Sequence, residues 1–421
     1  MARSEPTTTE LSRADDPRNV SRRWVAALLT ATVAVGAGWF GPIQILLPAQ
    51  ASALAGSGGK EYLLAVVTGV GAVVSLIANP IWGLISDRLS ATVPRRRPVL
   101  VAGVAIGSVG LAVLGLAPDA TWMIVGWVLV QIGLNGPLAA LIAMIADRVP
   151  EERRGLVGSL FGIAQTVGVV LGTAVAVVLG EGALGYFAIA LAVPLLCVAI
   201  VLLPERRLPA PGVDASPDAK PARRPLREVL VALRPSAQFV WAWVVRFLMN
   251  LVNALVLAFL YYYLADRVGV DDPGMWVLVL TLITVALAAI AAGVGGVWSD
   301  RIARRRVFVV GAVAATVVGL VILALLPQLE AVIAATVLIG LGWGLFVSVD
   351  VAIITHVLPS ARSTAGMLGV ANIANVLPQA IAPLIAGAIV VQFGGYGVLY
   401  LVTAAVGLLA LPALARLRSV A

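Results

Sequence analysis

Two charged residues stand where charge is expensive. Arg246 falls within FVWAWVVRFLMN and Asp350 within GWGLFVSVDVAII, both inside long apolar runs. A charge in such a run ordinarily faces a cavity or a partner, because hydrocarbon cannot solvate it. Asn250 and Asn253 follow Arg246 at i+4 and i+7, so the three share one helical face. That stripe suits a hydroxylated or anionic solute; the plainer role for Arg246 is to pair with a neighbouring acid or to snorkel to the surface. Asp350 is the carboxylate set well inside an apolar run. A carboxylate held away from water is a natural group to take up and return a proton, and its structural alternative is a salt bridge to Arg246 or a gate. Gln44, Asn79, Gln131, Asn135, Gln165, Asn372, Asn375 and Gln379 are further polar residues in apolar runs, the last three spaced i, i+3, i+7. Each on its own suits the hydrogen-bonded joining of helices. Taken with Trp39 and Trp343 they outline a cavity for a neutral or weakly polar solute. Glu61 reads as a solvated helix end, and the YYY at 261–263 as an interfacial anchor.

Other chemistry is excluded by what the chain lacks. With one histidine, His356, and one cysteine, Cys197, no His-cluster metal site or internal disulfide can be built, and no Ser/His/Asp triad is expected. The phosphate-cradling Gly-x-x-x-x-Gly-Lys-Ser/Thr pattern of ATP-driven machines does not occur. No metal, cofactor or enzymatic activity is expected, and neither a sodium site nor nucleic-acid binding is.

The elements that carry these residues are long. Of 421 residues, 61% are hydrophobic and 12% charged, and the excess arrives in blocks of ~20 residues or more, the length that crosses a bilayer as helix. Twelve are marked, at 24–48, 63–86, 98–117, 121–146, 156–179, 184–204, 237–264, 274–298, 307–326, 330–355, 365–392 and 396–417. Residues 1–23 form a tail, 205–236 a Pro- and Arg-rich linker and 418–421 a second tail. LREVLVAL within the linker has the pattern of a short surface helix. PAQASA at 48–53 loosely resembles a signal-peptide cleavage site, but the run before it is longer than a signal's apolar core of ~7–15 residues, so it reads as a retained span. With the N-terminus inside, 26 of 29 Lys and Arg fall in the tails or the turns on the same side; the others are Lys60, Arg246 and Arg267. This asymmetry predicts that both termini are cytoplasmic, in the plasma membrane. Gly158-x-x-x-Gly162 and Gly168-x-x-x-Gly172 predict close helix contacts.

The chain repeats itself. GLISDRLSATVPRRRP (83–98) and GVWSDRIARRRV (296–307) share an outline: Gly83 and Asp87 match Gly296 and Asp300 at an offset of 213, and the arginines 95–97 match 304–306 at 209. The register of 209 then holds through Gly110/Gly319, Pro118/Pro327, Gly133/Gly342 and Pro150/Pro359. Two halves of six spans each, 24–204 and 237–417, therefore share one orientation. Such parallel halves predict a transporter with its site between them near the midplane.

Asp87 and Asp300 end spans. A carboxylate there can accept from the exposed N–H groups of a neighbouring helix start and pair with Arg88, Arg97 or Arg301. Such clusters would clamp the cytoplasmic face shut in an outward-open state. Asp147 joins the first cluster; its counterpart is His356, so the second is expected to be weaker.

On these residues the whole chain resembles the major facilitator superfamily, whose Gly-x-x-x-Asp-Arg…Arg-Arg motif lies between spans 2 and 3 and is echoed between 8 and 9. The resemblance implies an all-α integral membrane fold of twelve transmembrane helices in two pseudo-symmetric six-helix bundles. It implies a monomer that exchanges a small-molecule solute and protons across the lipid bilayer. Arg-Arg-Arg-Pro ending at Pro98, Asn135-Gly136-Pro137 and Arg246-Phe-Leu-Met-Asn250 are similar to the branch of sucrose–proton and glycoside–cation symporters. Pro94 departs from that branch's Gly, and Leu138, Ala139 and Ala140 stand where plant sucrose carriers hold an arginine. A sugar or glycoside is the substrate implied, with proton-antiport export of drugs or metabolites as the alternative.

Overall fold

Residues 20–56, 58–92, 96–203, 236–302, 304–357 and 364–417 are described by the computed structural model. The tail 1–19, the linker 204–235 with LREVLVAL, Pro94, Arg95 and the tail 418–421 lie outside the described residues.

Every regular element described is helical. Twelve are long and apolar enough to cross a membrane. In chain order they are α1 (Arg22–Ala55), α2 (Lys60–Thr92), α3 (Arg97–Leu116), α4 (Ala120–Arg148), α5 (Glu151–Val178), α6 (Ala183–Leu202), α7 (Ala237–Ala258), α8 (Pro273–Ile302), α9 (Arg305–Leu325), α10 (Leu329–His356), α11 (Thr364–Gln392) and α12 (Gly395–Arg416). All end within a few residues of the apolar blocks except the first and seventh. α1 runs on through PAQASA to Ala55 across a π turn at Pro42–Leu46. The proline costs the helix a donor there, and the wider turn re-satisfies the ladder. α7 stops at Ala258, and the chain continues as a short helix, Leu260–Tyr262, and a π turn, Tyr263–Val268. Caps fix several starts: the Asp119 carboxylate accepts from the N–H groups of Thr121 and Trp122 at 2.8 and 3.1 Å, and Ser21 and Ser236 oxygens accept from Trp24 and Phe239, each such cap being worth about 1 kcal/mol.

The helices alternate in direction, so Val20, Leu203, Ser236 and Leu417, the described ends next to the tails and the linker, lie on one face of the molecule. We call it the tail face and the opposite one the far face. Packing within the first half recurs in the second. The α1–α5, α2–α4, α3–α4 and α3–α6 pairs have counterparts in α7–α11, α8–α10, α9–α10 and α9–α12. The halves meet through α2–α11 and the equivalent α8–α5. Two six-helix bundles related by a pseudo-twofold axis result.

Small residues make the tightest seams. A Cβ on Gly133 would lie 2.1 Å from the Gly107 nitrogen, between α3 and α4, and one on Gly168 would lie 2.6 Å from the Val33 carbonyl oxygen, between α1 and α5. Gly172 packs as closely on Ala37, as its spacing predicts. Gly158 and Gly162 do not: nothing lies within 4 Å of a Cβ at either. They sit on the tail-side half of α5, where that helix is largely exposed.

That exposure is part of a pattern. On α2, Leu64, Val67 and Thr68 are buried, and so, on α8, are their equivalents Val277, Leu280 and Thr281. Toward the tail face Val73, Leu76, Ile77, Pro80, Ile81, Leu84 and Ile85 are exposed, and so are all seven equivalents on α8, from Ala286 to Trp298. Gly69 on α2 packs against Leu384 of α11, and Ala65 against Gly387. The same face continues through Val73, Leu76, Pro80 and Leu84, with Leu84 61% accessible. The bundles thus touch near the far face and part toward the tail face.

Overpacking a closed seam costs ~1–3 kcal/mol. Gly168→Val is expected to lower the thermal midpoint of the purified protein by several degrees, whereas Gly158→Val leaves it within about one degree.

Candidate functional site

Three helices of the second bundle build a charged centre. Arg246, on α7, reaches Asp350 on α10 with 3.4 Å between Nη2 and Oδ2, the two side chains 15% and 12% exposed. The Arg246 Nε–H donates to the Asn375 Oδ1 on α11 at 2.8 Å. Asn250, one turn beyond Arg246, donates through Nδ2 to the Arg246 carbonyl at 2.8 Å and to the same Asn375 oxygen at 3.1 Å. Aromatic rings adjoin this centre: Trp243 stacks on Phe247 with centroids 5.2 Å apart and donates to the Val370 carbonyl, and Trp343 leans on Phe346 at 5.7 Å. The pair is long for an ion pair, and it leaves the Asp350 Oδ1 and the Asn375 amide N–H groups unclaimed among the described residues. Of the other residues expected here, Asn253 is half-buried beside the cluster without bonding to it, and Asn372 and Gln379 are exposed on α11. The i, i+3, i+7 stripe therefore delivers one residue of three to the centre.

The first bundle offers amides without charge. Asn135 on α4 is 2% exposed, and its Nδ2 donates to the Ser75 hydroxyl at 2.9 Å and the Gln131 carbonyl at 2.7 Å, while Asn79 donates to its Oδ1 at 3.2 Å. Trp82 Nε1–H donates to the Ile132 carbonyl. Gln44 lies apart, in the π turn of α1, where the Thr173 hydroxyl on α5 donates to its Oε1 at 2.7 Å. Trp39, nearby on α1, has its indole nitrogen buried and without a hydrogen-bond partner. Ser75, Thr173 and Trp82 escaped sequence reading. A hydroxyl in an apolar run usually bonds its own backbone, and nothing in the order of residues separates the ones that do not.

The arginine loops differ from expectation in detail. Arg96, not Arg97 or Arg88, holds the first cluster. It donates to Asp147 Oδ2 at 2.6 Å, Asp87 Oδ1 at 2.8 Å and the Ser86 hydroxyl at 2.9 Å, joining α2, α4 and the start of α3 within the first bundle. Arg97 turns away to donate to the Leu203 carbonyl at the end of α6, and Arg306 does the same to Leu417 at the end of α12. A cation there meets the negative end of a helix. Arg88 and Arg301 are exposed, and the Asp300 side chain lies outside the described residues. The counterpart of Arg96, Arg305, donates to the Ala352 carbonyl at 3.2 Å, because His356 replaces Asp147. Here the tail face is open with the first cluster intact, so that cluster does not by itself close it.

The far face holds what the sequence did not show. Lys60, 9% exposed, pairs with Asp266 at 2.6 Å across the bundles, over the ring of Tyr262. Tyr262 is fully buried and its hydroxyl donates to the Pro48 carbonyl at 2.9 Å; Tyr261 donates to Glu181, and Tyr263 packs edge-on against Tyr400. Tyr261 and Tyr262 are a seam between bundles and Tyr263 is buried within the second, so the three are not an interfacial anchor, and Glu61 is bonded to Tyr396 rather than left to solvent.

Comparison with known proteins agrees with this architecture. The Major Facilitator Superfamily pattern matches residues 27–294 and 274–421. The chain is 25% identical over 342 residues to the ectoine/proline transporter ProP of Corynebacterium glutamicum, covering 72% of this chain and 66%, just under two thirds, of that one. It is 23% identical over 351 residues to the multi-drug resistance efflux pump PmrA of Streptococcus pneumoniae, covering 82% and 84%. Among solved structures, a bacterial homologue of the human lysosomal transporter Spinster, inward-facing and occupied, superposes with a TM-score of 0.70 at 15% identity over 94% of this chain and 95% of that one.

Removing Arg96 strips Asp147 of a two-point partner, at a cost of ~1–2 kcal/mol. Arg96→Ala is expected to lower the thermal midpoint by more than Arg305→Ala, which gives up a single bond to a carbonyl.

Proposed function

Because the chain belongs to the Major Facilitator Superfamily, a family of transporters, we propose that it moves a small organic solute by alternating access, with the Arg246–Asp350 pair as its coupling element. The bundles 24–204 and 237–417, joined by the linker 205–236, rock about a cleft between them, and the tail face is cytoplasmic. The protein works as a monomer in the plasma membrane.

One observation carries the coupling: a charged pair at 3.4 Å inside a span, with one carboxylate oxygen unclaimed. A proton arriving on Asp350 cancels the attraction and frees the guanidinium for a solute oxygen. Loss of the proton restores the pair and expels the solute. Each ligand therefore acts through its different affinity for the two arrangements, as a coupled cycle requires. Across the cleft, Gln131, Asn135 and Asn79 offer amides without charge, and Trp39 an indole N–H; Gln44, Asn372, Asn375 and Gln379 add further polar contacts. This combination suits a neutral, hydroxyl-rich solute, a sugar or glycoside. Export of drug-like metabolites by proton antiport is the second reading, favoured by the pump that matches 82% of the chain.

Proteoliposomes with an imposed pH gradient separate the two. Symport accumulates solute on the alkaline side, and antiport concentrates it on the acidic side.

In either case Arg246→Gln is expected to lower flux at least tenfold. Asp350→Asn should abolish gradient-driven accumulation while retaining solute exchange at equal pH. Wild-type accumulation in both variants would remove the pair from the mechanism.

A further inference from the structure

The outer flank of the first bundle carries two recesses that meet at one residue. There α6 lies between α1 and α3, and all three pack within that bundle. Between α6 and α3 runs a groove of about 360 Å³, lined by Leu100, Ala105 and Ser108 on one side and by Pro194, Cys197 and Leu202 on the other. It begins at the tail face, where Leu202 ends α6, and follows both helices inward for two turns, ~12 Å at the helical rise. Between α6 and α1 lies a second recess of about 500 Å³, running from Arg23 at the tail rim to Thr30, with Leu202 and Leu203 on its α6 side. Leu202 lines both and is 74% accessible, so it is the ridge between them. The repeat does not by itself make the groove. Val317 stands where Ser108 does, and a Cβ on Gly407 of α12 would lie 3.4 Å from its Cγ2. In the first bundle Ala105 and Ser108 are too short to fill the same space.

We propose that the two recesses hold one anionic glycerophospholipid of the tail-face leaflet, an acyl chain in each, with its phosphate at Arg23. Charge selects this occupant as much as shape does. No acid lines either recess. Arg23 is exposed and makes no hydrogen bond or ion pair among the described residues, and the exposed Arg22 adjoins it. The Arg148 guanidinium lies over the Trp24 ring at 5.5 Å, which adds a cation to the same corner. Arg97 crosses the mouth of the groove from α3 to the Leu203 carbonyl. The carboxylates of this end, Asp87 and Asp147, are already paired with Arg96. A basic recess between spans at headgroup level is the setting that takes a lipid phosphate, and the apolar stem of Arg23 lets its guanidinium reach that level. An uncharged chain alone would leave Arg23 unanswered, and a free anion would leave the grooves empty; a lipid with two chains and a phosphate answers both. Bound there, it packs α6 against α1 and α3 at the point where the chain leaves the bundle for the linker. The site is separate from the Arg246–Asp350 centre and does not depend on which solute is carried.

The test is photolabelling of the full chain in phosphatidylcholine nanodiscs that contain a minor fraction of phosphatidylglycerol with a diazirine partway along one acyl chain. Adducts are mapped by peptide mass spectrometry. In the parent protein they should concentrate on α1, α3 and α6, with Ala105 and Cys197 among the labelled residues. Phosphatidylcholine carrying the same diazirine chain should label these helices about fivefold less, the worth of one arginine beside an anionic headgroup. Arg23→Gln should erase that difference between the two lipids. Ala105→Leu, which fills the groove from an exposed position, should remove most of the α3 and α6 adducts, whereas Ala314→Leu, at the equivalent exposed position of α9, should leave them in place. The map of the parent needs no variant to fold. Adducts spread evenly over α3, α6, α9 and α12 would mean an ordinary lipid annulus and would overturn the proposal. So would equal labelling of the parent by the two lipids, or a preference for phosphatidylglycerol that survives Arg23→Gln.

Discussion

In hydrocarbon a polar group has no solvent to fall back on, so its partner must come from the protein. The arrangement of this chain follows from where those partners are found. Arg246 is answered by Asp350 and Asn375, Asn135 by Asn79 and Ser75, and Gln44 by Thr173. Each answer joins helices of one bundle. The bonds that cross between bundles gather instead at the far face, through Lys60, Glu61 and Glu181 on one side and Tyr261, Tyr262, Asp266 and Tyr396 on the other. Each bundle is therefore held together by its own polar bonds, and the polar contacts between bundles are confined to one end, beside the apolar contact of Gly69 with Leu384.

The scaffold is repeated, but its chemistry is not. Arg96 binds two carboxylates, whereas Arg305 binds a carbonyl. Asp350 has Leu141 at the matching position, and Asn135 has Gly344. One bundle thus holds a charged pair inside its spans, and the other holds neutral amides. The repeat fixes the helix packing of both bundles, and the side chains that differ are what set one bundle apart from the other.

The spans, their number and the doubling were legible because hydropathy and repeat are local or in-register signals. The Arg246–Asp350 pair was legible as one of two alternatives, since charge inside an apolar run demands an explanation. Which arginine of the triplet binds Asp87 was not, because Arg96 and Arg97 are neighbours whose directions are set by the turn entering α3. The far-face seam was hidden for a different reason. Tyr396 lies 335 residues from Glu61 and Asp266 lies 206 from Lys60, and every one of these residues has an ordinary reading as a helix end. The two glycine pairs of α5 share a spacing, yet only Gly168 and Gly172 meet a neighbouring helix in this conformation.

The unfilled space beside Gly158 and Gly162 acquires a meaning next to the stripe on α8, where Ala286, Ala289 and Gly293 are likewise bare. On the α2 side the corresponding positions carry Val73, Leu76 and Pro80. When the cleft shuts, α5 and α8 can slide together almost backbone to backbone, while α2 and α11 stay spaced by bulky chains. The movement is then not a simple scissor. It carries a built-in tilt, with one flank of the protein narrowing further than the other, so the vestibule at the tail face is lopsided.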